Sequence, residues 1–235
     1  MQSDFKERLK KLEKIFGIKI KDKELFKKAL VHSSYTKENE LSLSENYERL
    51  EFLGDAVLKL CISNILFKNF PKYPEGELTK IRSIIVSDNS LAEIALQIGL
   101  SELVILGKQE EKTGGRDKKS ILACVFEAIL GAYYLDGKYE NISKFLEKTF
   151  MIMIKDVDEH FEKFNAKAVL QEYTQSKNKQ IPNYKVIEEL GPEHDKTFVI
   201  EVRYMGDVLA TGKGKTKREA EQACAYEACK NLGVI

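Results

Sequence analysis

Glu48, Glu51 and Asp55 are three carboxylates in a run otherwise dominated by Leu50, Phe52, Leu53, Ala56, Val57 and Leu58. Their spacings of three, four and seven residues stack all three on one face of a helix. Like charges at the edge of a core repel one another, and a divalent cation with oxygen ligands offsets that repulsion most directly. The bland alternative is a solvated acidic face, but the apolar neighbours leave little room for a broad one. A second run, Ser120 to Tyr134, holds Glu127 as its single charged residue. A buried lone carboxylate is costly unless something pairs with it. Either Glu127 forms a salt bridge with Arg49 or Arg82, or it faces the Glu48/Glu51/Asp55 surface and completes a cation site. Glu75, at the start of another helix, is a further acidic candidate.

The surrounding pattern supplies the elements that must hold these groups. Helical periodicity places Leu9, Leu12, Ile15 and Phe16 on one stripe ended by Gly17, and Leu25, Phe26, Ala29 and Leu30 on another within 23–32. Residues 36–44 are polar and read as a loop or the approach to a helix. A long helix is expected from about Glu45 to Phe70, stopped by Pro71. After the turn at Pro74 come helices through Leu78, Ile81 and Ile85, then Leu91, Ile94 and Ile98, the latter with Asp88 as its cap. Residues 107–119 are charged, contain Gly114-Gly115 and read as a mobile loop. The Glu127 helix runs to about Leu135, and another from about Asn141 to Ile154; 155–165 is expected to be a linker or a fraying helix end.

Beyond this the period changes. Ala166 to Ser176 reads as a short helix, Tyr184 to Leu190 and Thr197 to Tyr204 as strands, and Met205-Gly206-Asp207 as a hairpin turn into a third strand. An Ala-rich helix from Thr216 to Leu232 ends at Gly233. Four basic residues, Lys213, Lys215, Lys217 and Arg218, lie within six positions at the start of that helix. A helix N-terminus favours anions, so the segment is either a phosphate-binding surface or a solvated basic loop. The expected architecture is two domains: an all-α domain at 1–158 and an α+β domain, in the order α-β-β-β-α, at 163–235.

Composition narrows the setting. The chain has 235 residues, is 32% charged, and carries a net charge of only +1, so any nucleic-acid binding must come from a local patch. No apolar run suits a membrane span and no signal-peptide core opens the chain. The four cysteines, Cys61, Cys124, Cys224 and Cys229, show no zinc-type spacing and are expected to be reduced thiols in a cytoplasm. His32, His160 and His194 are too scattered to propose a nucleophilic triad.

Glu48-Arg49-Leu50-Glu51-Phe52-Leu53-Gly54-Asp55 resembles, without change, the signature octet of the ribonuclease III family. The resemblance continues through His32-Ser33-Ser34-Tyr35, Glu75-Gly76-Glu77-Leu78, Ser90-Leu91-Ala92, Gly114-Gly115-Arg116 and Ile121-Leu122-Ala123, then Glu127-Ala128. It ends in a segment similar to double-stranded-RNA-binding domains. It implies a magnesium-dependent endonuclease for double-stranded RNA (manganese being an alternative ion), working as a homodimer in rRNA and mRNA processing. By motif, Glu51, Asp55 and Glu127 are implied as metal ligands, with Asp55 and Glu127 the most critical for catalysis. Glu48 and Glu75 are implied as outer acidic positions, and Phe52 as the side chain wedged into the partner subunit. In the second domain the resemblance places Gln171 and Glu172 in one minor groove, His194 in the next, and Lys215, Lys217 and Arg218 on the phosphates between, reading A-form shape rather than sequence.

One position departs from the family pattern. Where the family has a metal-ligating aspartate, three residues before Glu127, this chain has Cys124. A thiol is soft and a poor magnesium ligand. Three outcomes are open: an active enzyme in which a water or another carboxylate fills the place, a slow enzyme, or a non-catalytic double-stranded-RNA-binding protein. Persistence of Glu48, Glu51, Asp55, Glu75 and Glu127 favours retained activity.

Overall fold

The computed structural model describes residues 2–192 and 196–235. The chain divides into two compact units, Met1–Ile154 and Lys155–Ile235. Within the first, helices α1 (Gln2–Phe16), α2 (Lys23–Leu30), α3 (Ser33–Glu38), α4 (Glu48–Asn69), α5 (Glu75–Ile85), α6 (Asp88–Gln97), α7 (Lys108–Lys112), α8 (Lys119–Leu135) and α9 (Tyr139–Glu159) follow in order. No strand forms in this unit; a single parallel bridge, Val31 to Ile105, is all the sheet it has among the described residues.

The centre of this unit is α8. Its apolar run is buried nearly throughout: Ile121, Leu122, Val125, Phe126, Ile129, Leu130 and Tyr133 are all sealed from solvent. Helix α4 crosses it at unusually short range, and glycines allow the approach. A Cβ at Gly54 would sit 1.8 Å from the carbonyl oxygen of Glu127, and one at Gly131 2.3 Å from that of Leu50. The obstacles are backbone atoms, which cannot swing aside. We therefore expect Gly131→Ala to cost at least about 1–3 kcal/mol, the usual penalty for overpacking. A thermal unfolding midpoint equal to that of wild type would contradict the close crossing.

Several elements differ from the sequence expectation. Residues 36–44 are not simply loop: Ser33–Glu38 is a helix whose first turn is capped by the His32 ring, which accepts the Ser34 N–H at 3.1 Å. Ser87, not Asp88, caps α6, its hydroxyl accepting the Ser90 N–H. The expected mobile loop at 107–119 is built and anchored. The Glu38 carboxylate accepts the Lys108 and Gln109 N–H groups at 2.7 and 2.9 Å, and Arg116 donates to the carbonyls of Ser101 and Val104 while pairing with Glu111. Of the two readings of 155–165, linker or helix end, the second holds for its first part: α9 runs through Ile154 to Glu159, and α10 begins at Phe161.

The second unit is α10 (Phe161–Asn178), β1 (Asn183–Leu190), β2 (Thr197–Tyr204), β3 (Asp207–Gly214) and α11 (Lys217–Asn231). The strands form one antiparallel sheet in the order β1-β2-β3. The β2–β3 turn is made by Met205 and Gly206, both at positive φ, the pairing a two-residue hairpin turn requires. Ala166, Leu170, Val202, Cys224, Ala225, Ala228 and Cys229 form the core where the two helices meet the sheet. Gly212 and Gly214 let β3 lie against α11: an added Cβ would come within 2.3 and 2.4 Å of the backbone nitrogens of Cys224 and Ala220.

Candidate active site and RNA interface

The α4–α8 crossing brings the carboxylates predicted from sequence into one electrostatic neighbourhood. Glu51 and Asp55 are half-buried on α4, and Glu127 is half-buried on α8. Burial, then the charges of Asp55, Glu51 and Asp88, push the Glu127 carboxyl up to about 8. Burial raises Glu51 as well, with Glu48, Asp88 and Asp55 adding to the effect; a hydrogen bond from the Cys124 thiol pulls the other way. Among the described residues Glu127 makes no ion pair. Arg82, one of its candidate partners, instead donates to the Ser63 hydroxyl at 2.7 Å. The nearest compensation is Lys59, which pairs with Asp55 at 2.7 Å and only partly offsets the charge on Glu127.

With its carboxylates ionised the site would carry more negative charge than Lys59 offsets, which is why Glu127 holds its proton, and its donors are hard oxygens. Both properties fit a divalent cation of the magnesium type, which keeps several of its waters. Among the described residues no three His, Cys, Asp or Glu side chains already form a closed cage, so the fit is that of a loose carboxylate patch. Burial and its contact with Glu51 push the Cys124 thiol up to about 12.

Other expected residues lie elsewhere. Glu48 is exposed at the start of α4, where its N–H is held by the Asn46 side chain. Glu75 is exposed at the start of α5, accepts from the Thr79 hydroxyl, and lines a separate groove of about 600 Å³ with Leu60, Phe67, Tyr73, Leu78 and Arg82. Phe52 is 83% exposed. Three neighbours were not anticipated. Lys59 is one turn after Asp55; Tyr47 is one turn before Glu51 and buried; Asp88 opens α6, and nothing in its spacing ties it to the others.

In the second unit Gln171 and Glu172 are exposed on α10, and Lys215, Lys217 and Arg218 are exposed where α11 begins. That turn is firmly built. Thr216 caps it by accepting the Glu219 N–H at 3.1 Å, and the Glu219 carboxylate accepts the Lys215 N–H at 3.0 Å. Lys217 lies over the Phe198 ring, 5.5 Å from its centroid. His194 falls outside the described residues.

Comparison with known proteins fits both units. Residues 22–154 match the family model described as Ribonuclease-III-like, and 166–232 match that of the double-stranded RNA binding motif. The chain belongs to the ribonuclease III family. A Staphylococcus epidermidis protein named Ribonuclease 3 is 43% identical over 98% of this chain and 94% of its own length, and one from Geobacillus kaustophilus is 44% identical over 96% and 91%. The nuclease domain of ribonuclease III from Campylobacter jejuni superposes with a TM-score of 0.55 at 40% identity, covering 60% of this chain and 98% of that one. As a ribonuclease III with both domains, the chain is an endoribonuclease of double-stranded RNA. No helix among its described residues is long and apolar enough to cross a membrane.

Proposed function

We propose that this chain cleaves double-stranded RNA at a magnesium site held by Glu51, Asp55 and Glu127, with manganese as a competent substitute. The observation that carries this is the uncompensated charge around half-buried Glu127. A bound divalent cation there would supply an activated water and neutralise charge on the reacting phosphate. The chain's own residues set the terms of that chemistry. Glu51 and Asp55 present oxygens from one helix face, Glu127 presents them from the crossing helix, and Asp55 and Glu127 are the pair most critical to cleavage. Glu48 and Glu75, both exposed, are proposed to act on the RNA and on assembly as outer acidic positions, with Glu48 also adding its charge to Glu51.

Retained activity despite Cys124 is tested by metal titration. Cys124→Asp restores an oxygen ligand, and we expect it to lower the magnesium concentration at half-maximal cleavage of a long duplex. An unchanged titration would show that position 124 does not reach the ion.

The catalytic domain is assigned to 1–158 and the RNA-binding domain to 163–235. Gln171, Glu172 and His194 are proposed to meet minor grooves, and Lys215, Lys217 and Arg218 the phosphates. Lys217→Ala should then weaken binding uniformly across duplex sequences and reduce the slope of log affinity against log salt by about 1. Loss confined to one sequence would overturn shape reading.

A homodimer is proposed across α4. Phe52, Ala56, Leu60 and Phe67 form an exposed apolar stripe, and the groove beside Leu60 and Phe67 is mostly apolar. A projecting ring and a hollow on the same face are the self-complementary features a two-fold interface needs. The physiological setting proposed is processing of rRNA and mRNA in the cytoplasm, with which four free cysteine thiols are compatible.

A further inference from the structure

A groove of about 560 Å³ lies between the end of α1 and one face of α9, and none of its lining residues belongs to α4, α5 or α8. Helical spacing builds its α9 wall: Asn141, Lys144, Phe145, Lys148 and Thr149 recur at intervals of three and four. Opposite them stands Lys14, in the last turn of α1 just before Gly17 leaves the helix at a φ of 67°. The apolar part of the groove is held firmly. The Phe145 ring lies 4.4 Å, centroid to centroid, from that of Phe16, which is itself buried and packed 5.2 Å from Tyr133 and 6.5 Å from Phe126. Phe145 is only half-buried, so part of its apolar surface borders the groove.

The charges here are of one sign. Lys14, Lys144 and Lys148 are exposed, and no acidic side chain lines the groove; Glu140 and Glu147 share α9 but take no part in its wall. Among the described residues none of the three lysines forms an ion pair. Glu13, the carboxylate beside Lys14, is taken by Lys19 at 3.1 Å and by the Ile20 N–H at 2.9 Å. In a chain whose net charge is +1, this is a local excess made by placement.

Two chemistries therefore face one cavity. Clustered ammonium groups favour a multiply charged anion, and lysine is a common phosphate binder. An aromatic, apolar wall favours a flat apolar group. A duplex keeps its bases stacked inside, so it would use the lysines and leave the ring idle, as would inorganic phosphate. An unpaired nucleotide uses both, because its base stacks on aromatic side chains while its phosphates stay among the cations. The volume falls within the range of about 300–1,000 Å³ usual for small-molecule sites.

We propose that this groove binds an unpaired nucleotide, with its phosphates on Lys14, Lys144 and Lys148 and its base on Phe145. Asn141 and Thr149 add an amide and a hydroxyl able to hydrogen-bond the rest of the nucleotide. The nucleotide arrives either free, as a nucleoside triphosphate, or as the 5′-phosphorylated end of a single-stranded RNA; the chemistry recognised is the same. The site shares no residue with the carboxylate patch, so it stands whether or not that patch binds a cation.

The test titrates the full-length protein by calorimetry in the presence of a chelator. The probes are adenosine triphosphate, adenosine, tripolyphosphate, and an RNA tetranucleotide with and without a 5′-phosphate. Adenosine triphosphate is expected to bind saturably and adenosine far more weakly. Lys144→Ala and Lys148→Ala are each expected to weaken adenosine triphosphate about tenfold, the loss of one charge-assisted hydrogen bond. Lys217→Ala is expected to leave this binding unchanged, since that lysine lies in the other compact unit. Phe145→Leu, which keeps apolar bulk against Phe16, is expected to weaken adenosine triphosphate about fivefold or more and to leave tripolyphosphate unaffected. Tighter binding of the 5′-phosphorylated tetranucleotide than of adenosine triphosphate assigns the groove to RNA ends, and the reverse order assigns it to free nucleotides; either supports the site. Absence of saturable binding by both probes, wild-type affinity in the two α9 lysine variants, or an equal loss in Lys217→Ala would overturn it. Equal weakening of adenosine triphosphate and tripolyphosphate in Phe145→Leu would overturn the base contact.

Discussion

Glu127→Gln is expected to abolish duplex cleavage while leaving duplex binding intact. Removing a mere outer partner of a metal ligand costs up to about 100-fold, so loss of a carboxylate from the patch itself should exceed that in cleavage rate. The proposed RNA-binding residues Lys215, Lys217 and Arg218 lie in the other compact unit and are untouched. A single-turnover cleavage assay beside a gel-shift titration separates the two. Wild-type cleavage in this variant would remove Glu127 from the site.

The same substitution carries a stability signature of definite sign. Folding raises Glu127 from its ordinary value of 4.5 to about 8, so the folded state holds its proton more tightly than the unfolded chain does. Its contribution to stability is full below the ordinary carboxyl range and is lost as pH rises through about 8. In a chelator, the wild-type unfolding midpoint should therefore fall between pH 5 and about pH 8 more steeply than that of Glu127→Gln. Burial also raises Glu51, so some slope persists in the variant. Magnesium should flatten the wild-type curve by supplying the missing positive charge. Identical slopes for the two proteins would show that Glu127 is not strained by its neighbours.

Phe52→Asp is expected to convert the proposed dimer into monomers and to cost most of the cleavage activity. Phe52 is 83% exposed and shares an apolar stripe with Leu60 and Phe67. An unpaired carboxylate buried in a dry interface costs about 3–5 kcal/mol, which raises the dimer dissociation constant by about two to four powers of ten. A two-fold interface repeats the insult at both symmetric positions. Sedimentation velocity across a concentration series reads this directly. A variant that remains dimeric at wild-type concentrations would place the interface elsewhere.

Most of the architecture was legible because it rests on long periodic stripes. Leu9, Leu12 and Phe16 are buried as their spacing requires, and β2 pairs into a three-stranded sheet as expected, although Val199, Ile200, Glu201 and Val202 are all buried rather than alternating. Failures fell where distant partners decide. The 107–119 segment looked loose because its composition is charged and glycine-bearing, yet Glu38 and the carbonyls of Ser101 and Val104 hold it from outside the segment. Helix α3 was missed because its cap is a histidine ring rather than a Ser, Thr, Asp or Asn side chain.

The candidate carboxylate patch divides in the same way. The helical spacing of Glu51 and Asp55 and the isolation of Glu127 in an apolar run foretold a shared acidic neighbourhood, and the structure places their charges within reach of one another. Lys59 as the partner of Asp55 follows the same four-residue spacing and could have been found by it. Asp88 could not, since only the packing of α6 brings it near.

The most direct measurement is incubation of the full-length protein with a long RNA duplex across magnesium and manganese concentrations, resolved by gel electrophoresis. Short duplex products that require the added ion and vanish in chelator are the expected result. A duplex that is bound but stays intact at every concentration of either ion would contradict it, and would make the chain a double-stranded-RNA-binding protein whose cutting site was lost at Cys124.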